Sequence, residues 1–345
     1  MKTMKLRSVD ACIAFDFDCS TSAGGTRLAP DVTELETQQL ARAMTYKFAV
    51  LGVQIGGAKA TIRATRETRD EAVKRYCEEI TPLVKSRRFL TATDLGTMPE
   101  DFASLPGGDA ENLMHSSYHG MPLDAYITGL GVSVAADTVL GGLRGRTVAI
   151  EGFGKVGGST AAEMARRGAK VVGLSTVRGS IFAAGGLDVE RLLELRSRYG
   201  DDAIVHAGAE VRPPADLFEA EVDVLVPGAR IGVIDAERAA ALRARMVAPA
   251  ANVPYTAEGL EELRRRGIVA LADFVCNSGA TIGYLAEGLT SAEAALRAVE
   301  ARVRDLTERS LENPSGPFAG AAAIAEDFLR TWVPEEARPT RPALA

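Results

Sequence analysis

The order of apolar and polar positions predicts alternating strands and helices in the first third of the chain. Apolar residues recur at helical spacing in two segments, and shorter apolar runs predict strands. Clusters of Gly, Ser and Thr between them favour turns, because glycine adopts conformations that other residues avoid. The predicted elements are a strand at 9–17, turns at 20–25 and 56–59, helices at 34–51 and 69–85, a buried strand at 89–92 and a loop at 105–120.

The second half of the chain has a different pattern of apolar and polar positions. Pro122 opens a long helix of small residues that reaches Leu140, and we expect this helix to connect two domains. After it, short apolar strands alternate with helices, which is typical of a parallel sheet covered on both faces. The predicted strands are at 147–150, 170–174, 222–227, 245–248 and 268–271, and helices are predicted over 292–332.

These patterns predict a two-domain α/β protein with a cleft between the domains. The first, an α/β substrate domain, is predicted at 1–125 and is completed by a C-terminal helix at 305–333. The second, at 126–304, is a Rossmann-like, doubly wound dinucleotide-binding domain. A length of 345 residues fits two domains. The Pro-rich tail at 334–345 is predicted to be disordered.

Composition and charge exclude several classes of protein. The chain is 46% hydrophobic and 25% charged, as in an ordinary globular protein. A net charge of −6 without a long basic run argues against a nucleic-acid partner. The apolar stretch at 11–15 is too short for a signal peptide and nothing approaches a membrane span, so we expect a cytoplasmic protein without a membrane partner.

Cysteine and histidine spacing indicates neither disulfides nor a metal site. The four cysteines show no paired spacing and are interpreted as reduced thiols. His115 and His119 are four apart, but they lie in a glycine-rich segment without a third ligand. We therefore predict solvated histidines and no metal.

Two lysines stand where solvated lysines are not expected. Lys47 shares a helical face with apolar residues, and Lys59 closes the small-residue sequence Gly56-Gly57-Ala58-Lys59. Cations in such places suggest an anionic substrate and a lowered amine pKa. The alternative is that the stem of Lys47 lies along the surface and that Lys59 is solvated.

A glycine-rich segment indicates a dinucleotide site. Gly152-Phe153-Gly154-Lys155-Val156-Gly157 follows a predicted strand and opens a helix. In this context the first glycine permits a tight turn, the second lets the backbone meet a pyrophosphate, and the third packs helix on strand.

The next predicted strand bears on the choice of cofactor. It ends Ser175-Thr176-Val177-Arg178, without the carboxylate that would bind a ribose 2′-hydroxyl. Two hydroxyls and Arg178 are suited to a 2′-phosphate, which favours NADP over NAD. Arg178 as a solvated loop residue is the alternative.

Eight motifs follow one another along residues 12–330. They are Ala23-Gly24-Gly25-Thr26-Arg27, Met44-Thr45-Tyr46-Lys47, Gly56-Gly57-Ala58-Lys59, Thr93-Asp94-Leu95-Gly96-Thr97, Thr128-Gly129-Leu130-Gly131-Val132, the glycine-rich segment, Ala251-Asn252-Val253-Pro254 and Asp273-Phe274-Val275-Cys276-Asn277-Ser278-Gly279. In this order they resemble the glutamate/leucine/phenylalanine/valine dehydrogenase family.

The resemblance implies reversible oxidative deamination of an L-amino acid to a 2-oxo acid and ammonia, with NADP or NAD as acceptor. It implies that Lys47 binds the substrate α-carboxylate, that Lys59 activates water, and that Asp94 exchanges protons with the amino group. Two neighbouring ammonium groups would raise each other's cost of ionisation, so Lys59 could act as a base.

The implied substrate-binding residues are Lys47, Ala23, Gly24, Gly25, Thr281, Tyr284 and Asn277. The implied cofactor-binding residues are Gly152, Gly154, Lys155, Val156, Gly157, Ser175, Thr176, Arg178, Thr128, Ala229, Asn252 and Asn277. Taken singly, Asp94 and Asn252 also suit turns, and Thr128 also suits a buried helix.

Departures from the glutamate enzymes of this family bear on the substrate. Those enzymes have a lysine where this chain has Ala23, a serine at the position of Tyr284 and an aliphatic residue at that of Thr281. A γ-carboxylate would therefore be buried without a partner, which is costly. We expect an apolar or aromatic substrate, as in the leucine/phenylalanine/valine branch, and a homo-oligomer, a dimer or higher.

Two other functions stay open at this point. One is reduction of an unusual keto or imino acid in specialised metabolism, suggested by Thr281 and Tyr284. The other is dinucleotide binding without catalysis.

Overall fold

The computed structural model describes residues 1–107, 112–286 and 288–345, so part of the predicted loop at 105–120 lies outside the described residues. The chain forms two compact units. Unit 1 comprises residues 1–115 and 322–343, and unit 2 comprises residues 116–321 and 344–345. The boundary thus precedes the predicted one at 125, and of the segment 305–333 only the residues from 322 onward belong to unit 1.

Unit 1 is a five-stranded sheet with helices on its faces. Its elements are β1 (Lys2–Lys5), β2 (Ala11–Phe15), β3 (Ser22–Leu28), α1 (Glu34–Val50), β4 (Gly56–Ile62), α2 (Arg69–Lys85) and β5 (Phe89–Thr93). The strand order is β1-β2-β4-β3-β5. Strand β3 is parallel to both β4 and β5, whereas β2 is antiparallel to β1 and β4.

Strand β4 is buried on both faces, and its residues alternate between the two helices. Thr61 bonds to Thr37 of α1 at 2.7 Å between hydroxyl oxygens, so Lys59, two residues earlier, lies on the same face of the sheet. Ala58, Ala60 and Ile62 point the other way, into an apolar cluster with α2. The helix–sheet–helix arrangement therefore buries Lys59 on the α1 face.

The turns predicted at 20–25 and 56–59 are wrong, because residues 22–25 lie in β3 and residues 56–59 lie in β4. A Cβ atom on Gly57 would lie 2.2 Å from the carbonyl oxygen of Ala41 in α1. A Cβ atom on Gly24 would lie 1.7 Å from the carbonyl oxygen of Ala58. These glycines are required by close packing of backbone on backbone and not by a reversal of the chain.

Unit 2 is a six-stranded sheet with helices and a small hairpin. Its elements are β6 (Ser117–Tyr118), β7 (Met121–Pro122), α3 (Leu123–Leu140), β8 (Thr147–Glu151), α4 (Lys155–Arg166), β9 (Lys170–Thr176), β10 (Gly179–Phe182), α5 (Val189–Tyr199), β11 (Val224–Pro227), α6 (Ala236–Ala241), β12 (Met246–Val247), α7 (Ala257–Arg265), β13 (Val269–Ala270), α8 (Asp273–Cys276), α9 (Gly279–Leu285) and α10 (Ala292–Leu311). The order β10-β9-β8-β11-β12-β13 is parallel except at β10.

Helix α3 belongs wholly to unit 2 and does not connect the two units as expected. By length and composition alone it is apolar enough to span a membrane, but most of it is buried inside the unit. A Cβ atom on Gly129 would lie 2.5 Å from the backbone nitrogen of Thr160 in α4, and one on Gly131 would lie 2.6 Å from the carbonyl oxygen of Cys276. Its small residues therefore serve close helix packing, which accounts for its apolar composition.

The last helix, α11 (Pro317–Arg330), begins in unit 2 and returns the chain to unit 1. There Tyr46 of α1 donates a hydrogen bond to Glu326 at 2.9 Å, and Phe17 packs edge-on against Trp332. The tail predicted to be disordered has defined contacts, because Arg42 donates to the carbonyl oxygen of Arg341 at 3.1 Å. The prolines of the tail are incompatible with a continued helix, but the tail still packs on unit 1.

Candidate active site

Lys59 and Asp94 form a buried ion pair on the α1 face of the unit 1 sheet. Lys59 lies in the middle of β4 and is 3% exposed, and Asp94 directly follows β5. The Lys59 Nζ atom lies 2.7 Å from Asp94 Oδ2. Gly25 of β3 lies between them, since a Cβ atom there would be 3.4 Å from Nζ and 3.0 Å from the Asp94 Cβ. At Gly25 the amine therefore meets backbone and no side chain.

The surroundings shift the pKa values of both groups downward. Burial lowers the pKa of Lys59, the attraction of Asp94 opposes this, and the repulsion of Arg27 adds to it. Burial works against ionisation of Asp94, but the attraction of Lys59 and Arg27 holds the pKa of that carboxyl below its ordinary value. Lys59 thus releases its proton more readily than an exposed lysine while Asp94 stays charged.

Arg27 is a member of this site that the sequence prediction missed. Its Nε atom lies 3.1 Å from Asp94 Oδ2, and the same guanidinium also pairs with Glu36 in the first turn of α1. Arg27 and Gly25 are two apart on β3 and therefore share a face. That alternation would have identified Arg27, had the segment before it not been predicted as a turn.

Lys47 lies in the last turn of α1, the helix that covers β4, and is 6% exposed. Its burial argues against the alternative of a solvated surface lysine. We had expected Lys47 to supply the positive charge that lowers the pKa of Lys59. The cation with the largest such effect is Arg27. Gly24 lies in β3 beside Gly25, and Ala23 is part-buried in the same strand.

The glycine-rich turn of unit 2 has the geometry that a dinucleotide requires. Gly152 has φ +83°, which only glycine adopts readily, and a Cβ atom on Gly157 would lie 1.9 Å from the carbonyl oxygen of Gly152. A Cβ atom on Gly154 would meet nothing within 4 Å, so this position is open to a ligand. Lys155 and Val156 then begin α4, whose first backbone N–H groups suit a pyrophosphate.

At the end of β9, only one of the three residues predicted to bind a 2′-phosphate is exposed. Ser175 and Thr176 are buried. The Thr176 hydroxyl donates to the carbonyl oxygen of Asp201 at 3.0 Å and accepts from the Arg178 backbone N–H at 3.1 Å, so it shapes the loop. Arg178 is exposed and pairs with Asp202 at 2.7 Å. Of the three residues, Arg178 is therefore the one with an exposed side chain, and binding of a 2′-phosphate by Ser175 and Thr176 stays a prediction.

Glu151, at the end of β8, was also missed by the sequence prediction. It accepts hydrogen bonds from the backbone N–H groups of Gly228 at 3.1 Å and Ala229 at 3.2 Å, and burial raises its pKa. The Ala229 Cβ would lie 3.3 Å from a Cβ atom on Gly152. Glu151 thus holds the loop of Ala229 against the glycine-rich turn.

Three other predicted residues make contacts within unit 2. The Asn277 amide donates to Asn252 Oδ1 at 2.9 Å and to the carbonyl oxygen of Ala250 at 3.2 Å. The Thr128 hydroxyl donates to the carbonyl oxygen of Asp124 at 2.7 Å and accepts from the Ala280 backbone N–H at 3.2 Å. It therefore ties α3 to the start of α9.

Tyr284 and Thr281 are three apart on α9 and share a side of that helix. The Tyr284 hydroxyl donates to Asp124 Oδ2 at 3.3 Å. Asp124, in the first turn of α3, was not predicted as a site residue because nothing in the sequence pairs it with α9. Among the described residues, no group of three or more His, Cys, Asp or Glu side chains is placed to hold a metal ion.

The fold and these sites together define an α/β dehydrogenase with a Rossmann-type nucleotide unit. The chain belongs to the glutamate/leucine/phenylalanine/valine dehydrogenase family. The profile of that family matches residues 120–309, and the profile of its dimerisation domain matches residues 11–107. As a member, the protein is an amino acid dehydrogenase, and the predicted two-domain α/β fold and the use of a nicotinamide dinucleotide are confirmed.

Curated relatives include glutamate dehydrogenases. The NADP-specific enzyme of Saccharolobus shibatae is 31% identical over 289 residues, which cover 76% of this chain and 67% of that protein. The glutamate dehydrogenase of Thermotoga maritima is 33% identical over 282 residues, which cover 76% of this chain and 68% of the relative. These relatives do not support the expected leucine/phenylalanine/valine branch.

Solved structures share the fold. A hetero-hexameric glutamate dehydrogenase from Thermus thermophilus superposes with a TM-score of 0.77 at 24% identity, over 95% of this chain and 87% of that one. L-tryptophan dehydrogenase from Nostoc punctiforme superposes with a TM-score of 0.62 at 24% identity, over 96% and 95%.

Proposed function

We propose that this protein oxidatively deaminates an apolar or aromatic L-amino acid to its 2-oxo acid and ammonia, in a reversible reaction that uses NADP in preference to NAD. The observation that carries the proposal is the contact between Lys59 and Asp94 beside the bare backbone of Gly25. A lysine with a lowered pKa next to a persistent carboxylate is suited to proton transfer at a reacting amine.

The residues of unit 1 divide the chemistry among them. Lys59 takes a proton from water as the water attacks the iminium carbon, and Asp94 exchanges protons with the departing nitrogen. Lys47, a buried cation of α1, binds the substrate α-carboxylate, as the resemblance to the family implies. Gly24 and Gly25 allow the substrate to approach the backbone. A bound nicotinamide would supply the acceptor for the hydride that leaves the substrate α-carbon, and loss of this hydride gives the iminium that water attacks.

The side-chain preference is supported by residues that would oppose a second substrate carboxylate. Ala23 offers no cation, and the Tyr284 hydroxyl already donates to Asp124. Tyr284 therefore presents its ring, and Asp124 adds a negative charge that repels another carboxylate. An apolar or aromatic side chain suits Thr281 and this ring better than glutamate does.

The preference for NADP is supported by the end of β9 and by the relatives. No carboxylate ends the strand, and the exposed Arg178 is suited to a phosphate. The Saccharolobus relative is named as NADP-specific. The pairing of Arg178 with Asp202 must open for this role.

The proposed assembly is a cytoplasmic homo-oligomer. The match of residues 11–107 to a dimerisation domain supports self-association, and the Thermus structure of the same fold is a hetero-hexamer. Light scattering on the purified protein measures the mass of the assembly, and a monomeric mass at assay concentration contradicts this part of the proposal.

The activity is tested with a panel of L-amino acids and both cofactors, followed by the absorbance of the reduced nicotinamide. We expect turnover of apolar or aromatic members and little of glutamate. We expect Lys59→Ala to abolish turnover and to keep cofactor affinity within a few-fold, because the glycine-rich turn belongs to unit 2. Near-normal rates in Lys59→Ala would refute the role of Lys59.

Two outcomes of the panel would favour the other functions. Activity restricted to an unusual keto or imino acid indicates a reductase. Tight cofactor binding without turnover of any substrate indicates a protein that only binds dinucleotides.

A further inference from the structure

We propose that Arg27 and Glu36 are positioning residues for the Lys59–Asp94 pair: Glu36 fixes the Arg27 guanidinium, and Arg27 holds the Asp94 carboxylate in place. The inference rests on the proposed function, since it assigns how the proton-transfer pair of that reaction is kept in register. It concerns a four-charge network that crosses β3, β4, α1 and the end of β5.

The geometry places two cations on one carboxylate oxygen. Lys59 Nζ and Arg27 Nε lie 2.7 and 3.1 Å from Asp94 Oδ2. An arginine does not lose its proton in a protein, so Arg27 keeps this oxygen occupied whichever form Lys59 takes. The orientation of the Asp94 carboxylate is therefore preserved when Lys59 gives up its proton.

Glu36 gives Arg27 a fixed position. It bonds to Arg27 from α1, and the two side chains are 25% and 16% exposed. Glu36 itself lies at the start of the helix, where the Thr33 hydroxyl accepts from the Glu36 backbone N–H at 3.1 Å. A capped helix end is a rigid support for a side chain that must hold another.

The network is not needed to join the strands. Backbone pairing already aligns β3 with β5, with Gly25 opposite Ala92 and Thr26 opposite Thr93. The Arg27–Asp94 contact lies at the end of this ladder and on the face of Lys59. A part-buried arginine with two carboxylate partners at that point acts on the ion pair more than on the sheet.

The charges around Lys59 come from the elements on its own face of the sheet, because the opposite face of β4 packs into the apolar cluster with α2. Arg27 stands on β3 and Asp94 after β5, and α1 carries Glu36 and the buried Lys47. On the side of β2, Asp16 is bound by Arg42 of α1 at 2.7 and 2.8 Å. Arg27 lowers and Glu36 raises the pKa of Lys59. Removal of the Arg27 charge should therefore raise the pKa of Lys59, and removal of the Glu36 charge should lower it.

The experiment compares Arg27→Gln, Arg27→Lys and Glu36→Gln with Glu34→Gln as the matched control. Glu34 lies in the same first turn of α1, but it pairs with the exposed Lys5 at 3.1 Å. Two quantities are measured: the pH profile of kcat/KM for deamination, and the titration of the Lys59 ε-carbon by NMR in lysine-labelled protein without substrate. Lys59→Arg assigns the signal, and thermal unfolding shows that each variant is folded.

In Arg27→Gln we expect the Lys59 titration and the acid limb of kcat/KM to move to higher pH, with kcat lowered about 10- to 100-fold because the carboxylate is misplaced. In Glu36→Gln we expect both to move to lower pH. Arg27→Lys keeps the charge, so its pH profile stays near that of the wild type while kcat falls, because lysine lacks the planar fork. Glu34→Gln behaves as the wild type.

Identical titration curves for Arg27→Gln, Glu36→Gln and Glu34→Gln would overturn the inference, as would shifts in the same direction for the first two. Failure of the proposed function has a different signature. The wild type then turns over no amino acid, while the NMR titration of Lys59 still decides whether Arg27 and Glu36 act on it.

Discussion

Tyr284 and Asp124 are joined across two helices of unit 2 by a hydrogen bond of 3.3 Å from phenol to carboxylate. The bond occupies the hydroxyl of the residue that replaces a serine of the glutamate enzymes. It also places the carboxylate of Asp124 beside that residue. Under the proposed function this pair disfavours glutamate, because the hydroxyl is engaged and the Asp124 carboxylate repels a second substrate carboxylate.

We predict that Ala23→Lys combined with Tyr284→Ser raises kcat/KM for glutamate by at least about ten-fold, which corresponds to about 1.4 kcal/mol. The lysine supplies the missing cation and the serine a donor. Tyr284→Phe is the control, and it should retain activity towards apolar amino acids because the ring is kept. Steady-state rates on glutamate and on the best apolar substrate measure both. Loss of apolar activity in Tyr284→Phe would show that the hydroxyl, and not the ring, meets the substrate.

We predict that Gly154→Ala weakens cofactor binding at least about ten-fold and leaves stability within about 0.5 kcal/mol. The added Cβ meets no protein atom within 4 Å, so it occupies space that we assign to the pyrophosphate. Gly185→Ala is the matched control, since its Cβ also meets nothing within 4 Å and it lies outside the glycine-rich turn. Fluorescence titration and thermal unfolding separate the two effects. Unchanged affinity in Gly154→Ala would remove this turn from the cofactor site.

Unlike Gly154→Ala, the substitution Gly57→Ala is expected to lower the stability of the fold. Its Cβ would lie 2.2 Å from the Ala41 carbonyl oxygen and 2.4 Å from Thr45 Oγ1, so α1 must move away from β4. We predict a loss of about 3 kcal/mol or more in the free energy of unfolding. Denaturant unfolding of the purified variant measures it, and a loss below about 1 kcal/mol would show that α1 yields easily.

We predict that Arg178→Gln raises the KM for NADP about ten-fold and changes the KM for NAD little, because one charge-assisted pair with a phosphate is lost. Asp202→Asn should lower the KM for NADP, since it frees the guanidinium from its partner at 2.7 Å. Arg264→Gln, an exposed arginine of α7 paired with Glu261, is the control. Equal effects of Arg178→Gln on both cofactors would show that the end of β9 does not select between them.

We predict that the stabilisation of the protein by Asp94 disappears in acid. The pKa of Asp94 is lower in the folded protein than in the unfolded chain, so the folded state binds fewer protons at that site. Its contribution is complete above the unfolded value and is lost as the pH falls through the folded one. The difference in unfolding free energy between the wild type and Asp94→Asn should therefore shrink between about pH 5 and pH 2. Denaturant unfolding over this range measures it, and a constant difference would contradict the ionised state of Asp94.

The helices and the parallel strands of unit 2 could be predicted from the sequence because each carries its own periodicity. The predicted helix at 69–85 matches α2 in both bounds, and β8, β11 and the glycine-rich turn follow the predicted order. Strands β3 and β4 could not be predicted in this way. Their glycines are set by atoms from other elements, such as the Ala41 carbonyl oxygen, which no local pattern records.

The site residues, too, could be predicted from the sequence only in part. Lys47, Lys59 and Asp94 were identified by type and motif, but the 2.7 Å contact of Lys59 with Asp94 depends on the pairing of three strands. Arg27 was missed because the segment before it was predicted as a turn. Thr176 was identified as a ligand although its hydroxyl is engaged within its own loop, a contact that depends on residues 25 positions later.

The return of α11 to unit 1 makes unit 2 an insertion in the covalent order of the chain. Deletion of the last twenty or so residues looks like removal of a tail. It would, however, eliminate the hydrogen bond of Glu326 with Tyr46 and the packing of Trp332 on Phe17. During synthesis the first unit is therefore incomplete until the ribosome has passed residues 116–321 and reached the residues from 322 onward. The nucleotide unit, by contrast, is contiguous apart from residues 344–345 and has nearly all its residues in place earlier.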